Sequence, residues 1–212
     1  MRHLAPVPSP AVHARVVLLA GPSGSGKTHL AAHLGWPVLR LDDFYREGTD
    51  PLLPRRSDGV ADWDSPLSWD VEAALGAIVE LATTGAVQAP VYEFASDSRV
   101  GTQRVALDGA PAFLAEGLFA DRLVELCRDA GVLGDAVVLD PSAPLTFVRR
   151  FARDVVEARK PVPYLVRRGL RLLREHPSVV RRCRDAGMRP TKPKRAREEL
   201  ALIGRRDELA AA

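Results

Sequence analysis

The segment that most constrains the fold is GPSGSGKT, residues 21–28, which lies between an apolar run and a helical pattern. The preceding residues 15–20, RVVLLA, form a short apolar run typical of a buried strand. Residues 27–36 carry Leu30 and Leu34 at helical spacing. The eight residues match G-x-x-x-x-G-K-[ST], and they stand between a strand and a helix as its mechanism requires. We therefore predict a phosphate-binding loop that joins the first strand to the first helix.

The residue types of this loop suit phosphate chemistry. Its glycines let the backbone curl so that successive N–H groups point at phosphate oxygens, and the following helix adds the positive end of its dipole. Lys27 is predicted to bridge the β- and γ-phosphates, and Thr28 to offer its hydroxyl to Mg²⁺. A flexible Gly/Ser linker is the alternative, but only four of the 212 residues are lysine, so composition does not explain Lys27. The predicted cofactors are ATP or GTP with Mg²⁺, and the predicted nucleotide-binding residues are Gly21, Ser23, Gly24, Ser25, Gly26, Lys27 and Thr28.

Apolar runs and helical patterns alternate along most of the chain. Strands are predicted at residues 15–20, 37–45, 111–117 and 135–140, with a short further pair within APVYEF and RVAL. Helices are predicted at residues 27–36, 68–85 and 144–160. Such alternation favours a parallel sheet with helices on both faces, which is a three-layer α/β fold. The remainder is predicted to be basic and helical, with breaks at Pro161, Pro163, Pro177 and Pro190.

Charge is distributed unevenly along the sequence. Residues 149–212 carry a net charge of +11, and residues 1–148 carry −8. The basic third could form solvated helix faces, a cationic lid over phosphates, or a contact surface for nucleic acid. No apolar run approaches the ~20 residues of a membrane helix, so we expect no membrane partner. Cys127 and Cys183 match no metal-binding spacing and suit a reducing compartment, so the predicted location is the cytoplasm.

Two carboxylates end the second predicted strand. Asp42 and Asp43 follow the apolar residues of this strand, which we expect beside the first strand in the sheet. Phosphoryl transfer to a small alcohol needs a base near the acceptor hydroxyl, and a carboxylate at this edge would face the γ-phosphate. The two residues could instead begin a turn.

Five further segments follow in order along the chain: LDDFYR (41–46), DWDSPLSWD (62–70), PVYEFASDSR (90–99), FLAEGLFA (113–120) and RRFARDVVEARK (149–160). They resemble, in turn, the motifs D-x-F-Y, N-F-D-H-P-x-x-F-D, P-x-Y-D-F-x-x-H-x-R, F-E-G-I-x-A and R-R-x-x-R-D-x-x-E-R-G-R of the uridine kinase and phosphoribulokinase family. The resemblance implies a P-loop NTPase fold of the nucleoside and nucleotide kinase kind. It also implies an ATP-dependent phosphotransferase with an alcohol acceptor.

On the acceptor side, the resemblance implies a role for each matching residue. Asp42 would be the general base on a ribose 5′-hydroxyl. Asp64 would accept hydrogen bonds from ribose hydroxyls, because two neighbouring donors suit one carboxylate. Tyr45 and Tyr92 would line the nucleoside pocket, and Arg99 would anchor the acceptor loop.

On the phosphate side, the resemblance implies two further groups. Glu116 would hold Mg²⁺ through water, together with Thr28. Arg150 and Arg153 would reach the phosphates from a lid, and their spacing of three puts both on one face of a helix. The predicted catalytic residues are therefore Asp42, Lys27, Arg150 and Arg153.

Two positions depart from the family pattern. Asp97 stands where the family carries a histidine that reads the pyrimidine edge, and an ionised aspartate only accepts hydrogen bonds. We therefore place Asp97 among the substrate residues and expect a substrate that offers a donor there. It could equally face solvent or pair with Arg99. Ala158 replaces an arginine of the lid motif, and after Lys160 the family pattern ends.

The predicted organisation is a disordered lead-in (residues 1–14), a P-loop kinase domain (15–160) and a basic helical extension packed on the same domain (161–212). The predicted function is phosphorylation of the 5′-hydroxyl of a uridine- or cytidine-like nucleoside. We expect no nucleic-acid partner, and homo-oligomer formation stays open. One alternative is a kinase for another small alcohol, such as a vitamin precursor, a sugar phosphate or an antibiotic. The other is a non-catalytic nucleotide-binding module that contacts nucleic acid through the basic third.

Overall fold

The computed structural model describes residues 11–22, 24–141 and 177–211. The predictions for Ser23, Arg150 and Arg153 lie outside these ranges, as do the helix predicted over 144–160 and most of the lead-in.

The strands and helices alternate much as the sequence predicts. The strands are β1 (Arg15–Ala20), β2 (Val38–Arg40), β3 (Ala86–Glu93), β4 (Ser98–Ala106), β5 (Ala112–Glu116), β6 (Leu133–Leu139) and β7 (Arg189–Thr191). The α-helices are α1 (Lys27–Leu34), α2 (Val71–Thr84), α3 (Val124–Asp129), α4 (residues 177–185) and α5 (Pro193–Ala211). Short 3₁₀ helices cover Leu41–Phe44, Pro66–Ser68 and Ala120–Leu123.

Five parallel strands of the described chain form one sheet in the order β2-β5-β1-β6-β7. β1 is central, and residues 16–20 have no solvent exposure, as a strand covered on both faces requires. β3 and β4 pair separately as an antiparallel hairpin, which confirms the predicted short pair of strands at greater length.

Successive residues of β1 pack into two different cores. Val16 and Leu18 belong to the larger core, which α2, α3 and the hairpin cover. Val17 and Leu19 belong to the smaller core, which includes Leu30 of α1 and residues of α5. The sheet is therefore covered on both faces, and the predicted three-layer α/β fold is confirmed.

α2 shows how local sequence fixes an element. Asp70 caps its N-terminus by accepting a hydrogen bond from the Ala73 N–H at 3.0 Å. Gly85 ends it in the left-handed region at φ 85°, where a glycine is favoured, as predicted. The apolar face between these caps, including Ile78 and Leu81, is fully buried.

Three predictions about the sheet were wrong. The predicted strand over residues 37–45 ends at Arg40, and Asp42 lies on a 3₁₀ helix instead. β2 does not lie beside β1, because β5 is inserted between them. The extension is predicted to be helical with a break at Pro190; the helices do stop on either side of Pro190, but the residues between them form a strand, β7, of the sheet. Among the described residues, no helix is long and apolar enough to cross a membrane.

Candidate active site

Three segments meet at the carboxyl edge of the parallel sheet. Residues 21–28 follow β1, the 3₁₀ helix Leu41–Phe44 follows β2, and Glu116 ends β5. Because β5 lies between the other two strands, Glu116 is in register with both Leu19 and Arg40. This edge is where open α/β sheets bind their ligands.

The phosphate-binding loop has the backbone that its sequence predicts. Gly24 and Gly26 adopt φ values of 79° and 98°, a region that other residues rarely enter. Gly26 caps α1 without a side-chain hydrogen bond, so the N–H groups of the first turn can face an anion. The Lys27 ammonium reaches back over the loop and donates to the Gly21 carbonyl at 2.9 Å. Ser25 is fully buried, and its hydroxyl has no partner among the residues that the structure describes.

Glu116 presents an unsatisfied carboxylate oxygen at this edge. Its Oε2 atom is buried and has no hydrogen-bond partner within the described ranges. Burial raises the pKa of the Glu116 carboxyl, the charge of Lys27 lowers it in part, and the charge of Asp42 adds to the rise. Lys27 and Asp42 therefore both lie within electrostatic reach of Glu116. An orphaned buried oxygen beside a phosphate-binding loop is suited to a cation that arrives with the nucleotide.

Asp42 is oriented by the segment that follows β5. Its Oδ1 accepts a hydrogen bond from the Leu118 N–H at 3.1 Å. The second oxygen, Oδ2, accepts none from the residues described, so it is available to a ligand. Gly117 packs directly against the same turn, since a Cβ placed on it would lie 2.6 Å from Leu41 Cβ and 2.9 Å from Asp42 Oδ1.

We expect Gly117→Ala to lower the free energy of unfolding by about 1–3 kcal/mol, the usual cost of overpacking a tight contact. The added methyl group must displace Leu41 and Asp42. Gly76→Ala is the matched control, because Gly76 is exposed inside α2 and a Cβ there meets nothing within 4 Å. That variant should gain up to about 1 kcal/mol. Urea denaturation measures the free energy of unfolding of both variants. Equal effects of the two substitutions would contradict the close approach of Gly117 to Leu41 and Asp42.

Asp43, the other carboxylate of this turn, is buried and bonded through both of its oxygens. Its side chain is 1% exposed; Oδ1 accepts a hydrogen bond from the Tyr92 N–H at 3.2 Å, and Oδ2 accepts one from Gln103 at 3.5 Å. Burial raises the pKa of its carboxyl, while the Tyr92 N–H and the charge of Arg40 lower it. Asp43 therefore ties the 3₁₀ helix to the hairpin.

Five rings border the Asp42 side of the site, and we call them the aromatic cluster: Tyr45, Trp63, Tyr92, Phe94 and Phe119. Four ring centroids lie 5.6–6.0 Å from that of Tyr45. Phe119 is buried on the sheet side, whereas Phe94 is 57% exposed. The cluster thus has a buried floor and an exposed rim, as a platform for a flat ligand would have.

The two tyrosines of the cluster remain protonated. Burial raises the pKa of Tyr45, and the charges of Asp42 and Asp64 add to the rise. Burial also raises the pKa of Tyr92 to about 12. The Tyr92 hydroxyl donates to the Arg46 carbonyl at 3.1 Å. Asp42 and the exposed Asp64 therefore both lie within electrostatic reach of Tyr45.

Comparison with known sequences identifies the family. The model of the phosphoribulokinase / uridine kinase family matches residues 16–160. The chain belongs to this family. It is 30% identical to the uridine kinase of Saccharomyces cerevisiae over 155 residues, which cover 66% of this chain and 29% of the yeast protein. It is 26% identical to the uridine kinase of Brevibacillus brevis over 163 residues, which cover 74% of this chain and 73% of that one.

Membership confirms the resemblance seen in the five segments. A solved structure described as a fructose transport system kinase of Silicibacter sp. TM1040 superposes with a TM-score of 0.53 at 19% identity. The match covers 83% of this chain and 87% of that one, and it supports the fold alone.

Asp97, which the resemblance predicts to contact the substrate base, lies at the tip of the hairpin. Asp97 is exposed, has φ 49°, and its carbonyl accepts a hydrogen bond from the Gly48 N–H at 2.7 Å. Its charge adds to the pKa rise at Tyr92, so it is within reach of the aromatic cluster. Arg99 forms an ion pair with Asp70 at 3.7 Å, so the open alternative in which Arg99 pairs with Asp97 is not what the structure shows.

The C-terminal region, which the family model does not match, places the side chain of Arg182 at this edge of the sheet. Arg182 of α4 donates to both carboxylate oxygens of Asp121 and to the Leu118 carbonyl. Its guanidinium carbon lies 5.8 Å from the centroid of the Phe119 ring. The sequence analysis missed Arg182, because no pattern distinguishes it from the other arginines of the basic third.

Proposed function

We propose that this protein transfers the γ-phosphate of ATP to the 5′-hydroxyl of a nucleoside-like acceptor, with Asp42 as the general base. One observation carries the proposal: Asp42 is within electrostatic reach of both Glu116, at the phosphate-binding edge, and Tyr45, in the aromatic cluster. Its Oδ1 is fixed by the Leu118 N–H, and its charge acts on both Glu116 and Tyr45. A carboxylate held in this way suits an acceptor hydroxyl placed between a flat ligand and the γ-phosphate.

In the proposed reaction the acceptor hydroxyl donates its hydrogen bond to Asp42 Oδ2. Its oxygen attacks the γ-phosphorus, the bond from that phosphorus to the bridging oxygen of ADP breaks, and the hydroxyl proton passes to Asp42. Lys27, which already spans the loop, would hold the β- and γ-phosphates in line. The aromatic cluster would hold the nucleobase of the acceptor and keep water away from the reacting atoms.

Mg²⁺ fits the residues at this edge. Glu116 Oε2 is a buried orphan oxygen, and Thr28 is an exposed hydroxyl in the first turn of α1. Magnesium in such sites takes one or two protein oxygens and completes its coordination with phosphates and water. When bound, the ion would neutralise the charge of the transferring phosphates.

The proposal is tested by an ATP-consumption screen over nucleosides and other small alcohols with the purified protein. We expect turnover that depends on a pyrimidine nucleoside and yields its 5′-monophosphate. Turnover with a sugar phosphate or a vitamin precursor alone would favour the other kinase function. Nucleotide binding without acceptor-dependent turnover, combined with salt-dependent binding of RNA or DNA, would favour the non-catalytic module.

We expect the acceptor to offer a hydrogen-bond donor to Asp97, so that cytidine is preferred to uridine by about 5- to 150-fold in kcat/KM. A carboxylate facing the uracil O4 would place two acceptors together, whereas the cytosine amino group donates. Asp97→His should reduce or reverse this preference.

The matched control is Asp108→His, because Asp108 is also an exposed aspartate with a positive φ (48°) at a turn and lies at the other end of the hairpin. It should leave the preference unchanged. A wild type that uses uridine as well as cytidine, with no response to Asp97→His, would remove Asp97 from substrate selection.

A further inference from the structure

Arg182 lies on α4, outside the family motifs, yet its side chain ends at the candidate active site. Its Nε donates to Asp121 Oδ2 at 3.0 Å, and one terminal nitrogen donates to Asp121 Oδ1 at 3.1 Å. The same terminal nitrogen donates to the Leu118 carbonyl at 2.9 Å. Asp121 has a side chain only 2% exposed, so this two-point ion pair is anchored in the core.

Leu118 links this arginine to the candidate base. Its carbonyl is held by Arg182, and its N–H donates to Asp42 Oδ1 at 3.1 Å. The preceding residue, Gly117, packs closely against Asp42, because a Cβ on it would lie 2.9 Å from the carboxylate. The peptide on each side of Leu118 is therefore fixed, one by Arg182 and the other by Asp42.

We propose that Arg182 is a positioning residue for phosphoryl transfer: it fixes the peptide that follows Leu118 and so limits the rotation of the Leu118 backbone, whose N–H holds Asp42 in the orientation that the reaction needs. This inference rests on the proposed function, in which Asp42 takes the proton of the acceptor. Arg182 touches neither substrate nor phosphate in this role. The basic C-terminal third then contributes to catalysis through one hydrogen-bonded chain, rather than only through its net charge.

A guanidinium suits this task better than an ammonium. The planar fork bonds both oxygens of Asp121 and still directs one N–H at the Leu118 carbonyl. Lysine at this position would keep the charge opposite Asp121 but would lose the fixed geometry. Arg182→Lys should therefore keep the fold and recover only part of the activity.

The test measures kcat and both KM values of Arg182→Gln in the wild-type and Asp42→Asn backgrounds. In the wild-type background we expect kcat to fall by about 10- to 100-fold, the scale of a misplaced catalytic group, with the KM for ATP changed less than about twofold. In the Asp42→Asn background the same substitution should lower kcat by less than about threefold, because the carboxylate that Arg182 positions is already absent. The kcat of Arg182→Lys should lie between those of the wild type and Arg182→Gln.

Arg189→Gln is the matched control. Arg189 also lies in the basic third and also forms ion pairs, with Asp135 and Glu199, but these join β6, β7 and α5. Its kcat should stay within about twofold of wild type. If Arg182→Gln fails to fold because Asp121 is left unpaired, the double variant Arg182→Gln/Asp121→Asn removes both charges and should show the same loss in kcat.

Each outcome separates the inference from the proposed function. An equal fold-loss in both backgrounds, or an Arg182→Gln or double variant with wild-type kcat, overturns the positioning role alone. A wild type that phosphorylates no acceptor overturns the proposed function, and the positioning role with it. Full recovery by Arg182→Lys would show that the charge suffices and would also overturn the role of the fork.

Discussion

Replacing Lys27 by alanine is expected to reduce phosphoryl transfer to the background of the assay while the protein stays folded. The ammonium spans the phosphate-binding loop and reaches the Gly21 carbonyl, so its charge is set where the β- and γ-phosphates would lie. The hydrogen bond that is lost stabilises the fold by only about 0.5–1.5 kcal/mol. The unfolding midpoint should therefore change little.

The comparison is with Lys194→Ala, which removes an exposed lysine of α5. Steady-state ATP turnover with the acceptor found by screening, and circular dichroism during heating, measure the two variants. Full activity in a folded Lys27→Ala protein would show that residues 21–28 do not bind the phosphates of the reacting nucleotide.

Asp42→Asn is expected to lower kcat by about 10²- to 10⁴-fold, the contribution of a positioned general base. The amide oxygen can still accept the Leu118 hydrogen bond, so the turn should keep its shape, but an amide cannot take the proton of the acceptor. The affinity for ATP should be largely retained, because Asp42 does not belong to the phosphate-binding loop. Single-turnover kinetics and equilibrium nucleotide binding separate the two effects.

Asp43→Asn is the neighbouring control. Its carboxylate is buried against the Tyr92 N–H, and an amide oxygen can accept that bond as well. We expect a smaller loss of activity, accompanied by a lower unfolding midpoint. A larger loss of activity in Asp43→Asn than in Asp42→Asn would identify Asp43 as the general base. If both variants were fully active, neither carboxylate of this turn would be the general base.

The sequence predicted correctly the elements that depend on neighbouring residues, such as an apolar run or a glycine at a turn. The apolar run of β1, the glycines of the phosphate-binding loop and the Gly85 end of α2 lie where the sequence places them. The catalytic assignments are of a different kind, because the family motifs imply them. They stay predictions, although the structure brings Asp42 and Lys27 each within electrostatic reach of Glu116.

The wrong predictions come from interactions between distant parts of the chain. The strand predicted over 37–45 stops early because β5, its partner, ends at Glu116, and the turn that follows is held by Trp69, whose indole donates to the Leu41 carbonyl at 2.7 Å. β7 is three residues long and contains a proline, so only its pairing with β6 makes it a strand. Neither partner can be read from a local window of sequence.

The order of strands has a consequence for synthesis on the ribosome. β2, β5, β1 and β6 all lie before residue 140, but the place beside β6 is filled by residues 189–191. Ala196 and Leu200 of α5 then cover the smaller core. A nascent chain that has released only its first 140 residues therefore carries an open strand edge and an uncovered apolar face, the features that promote aggregation. Aggregation during synthesis should therefore be concentrated in the interval before these last segments emerge.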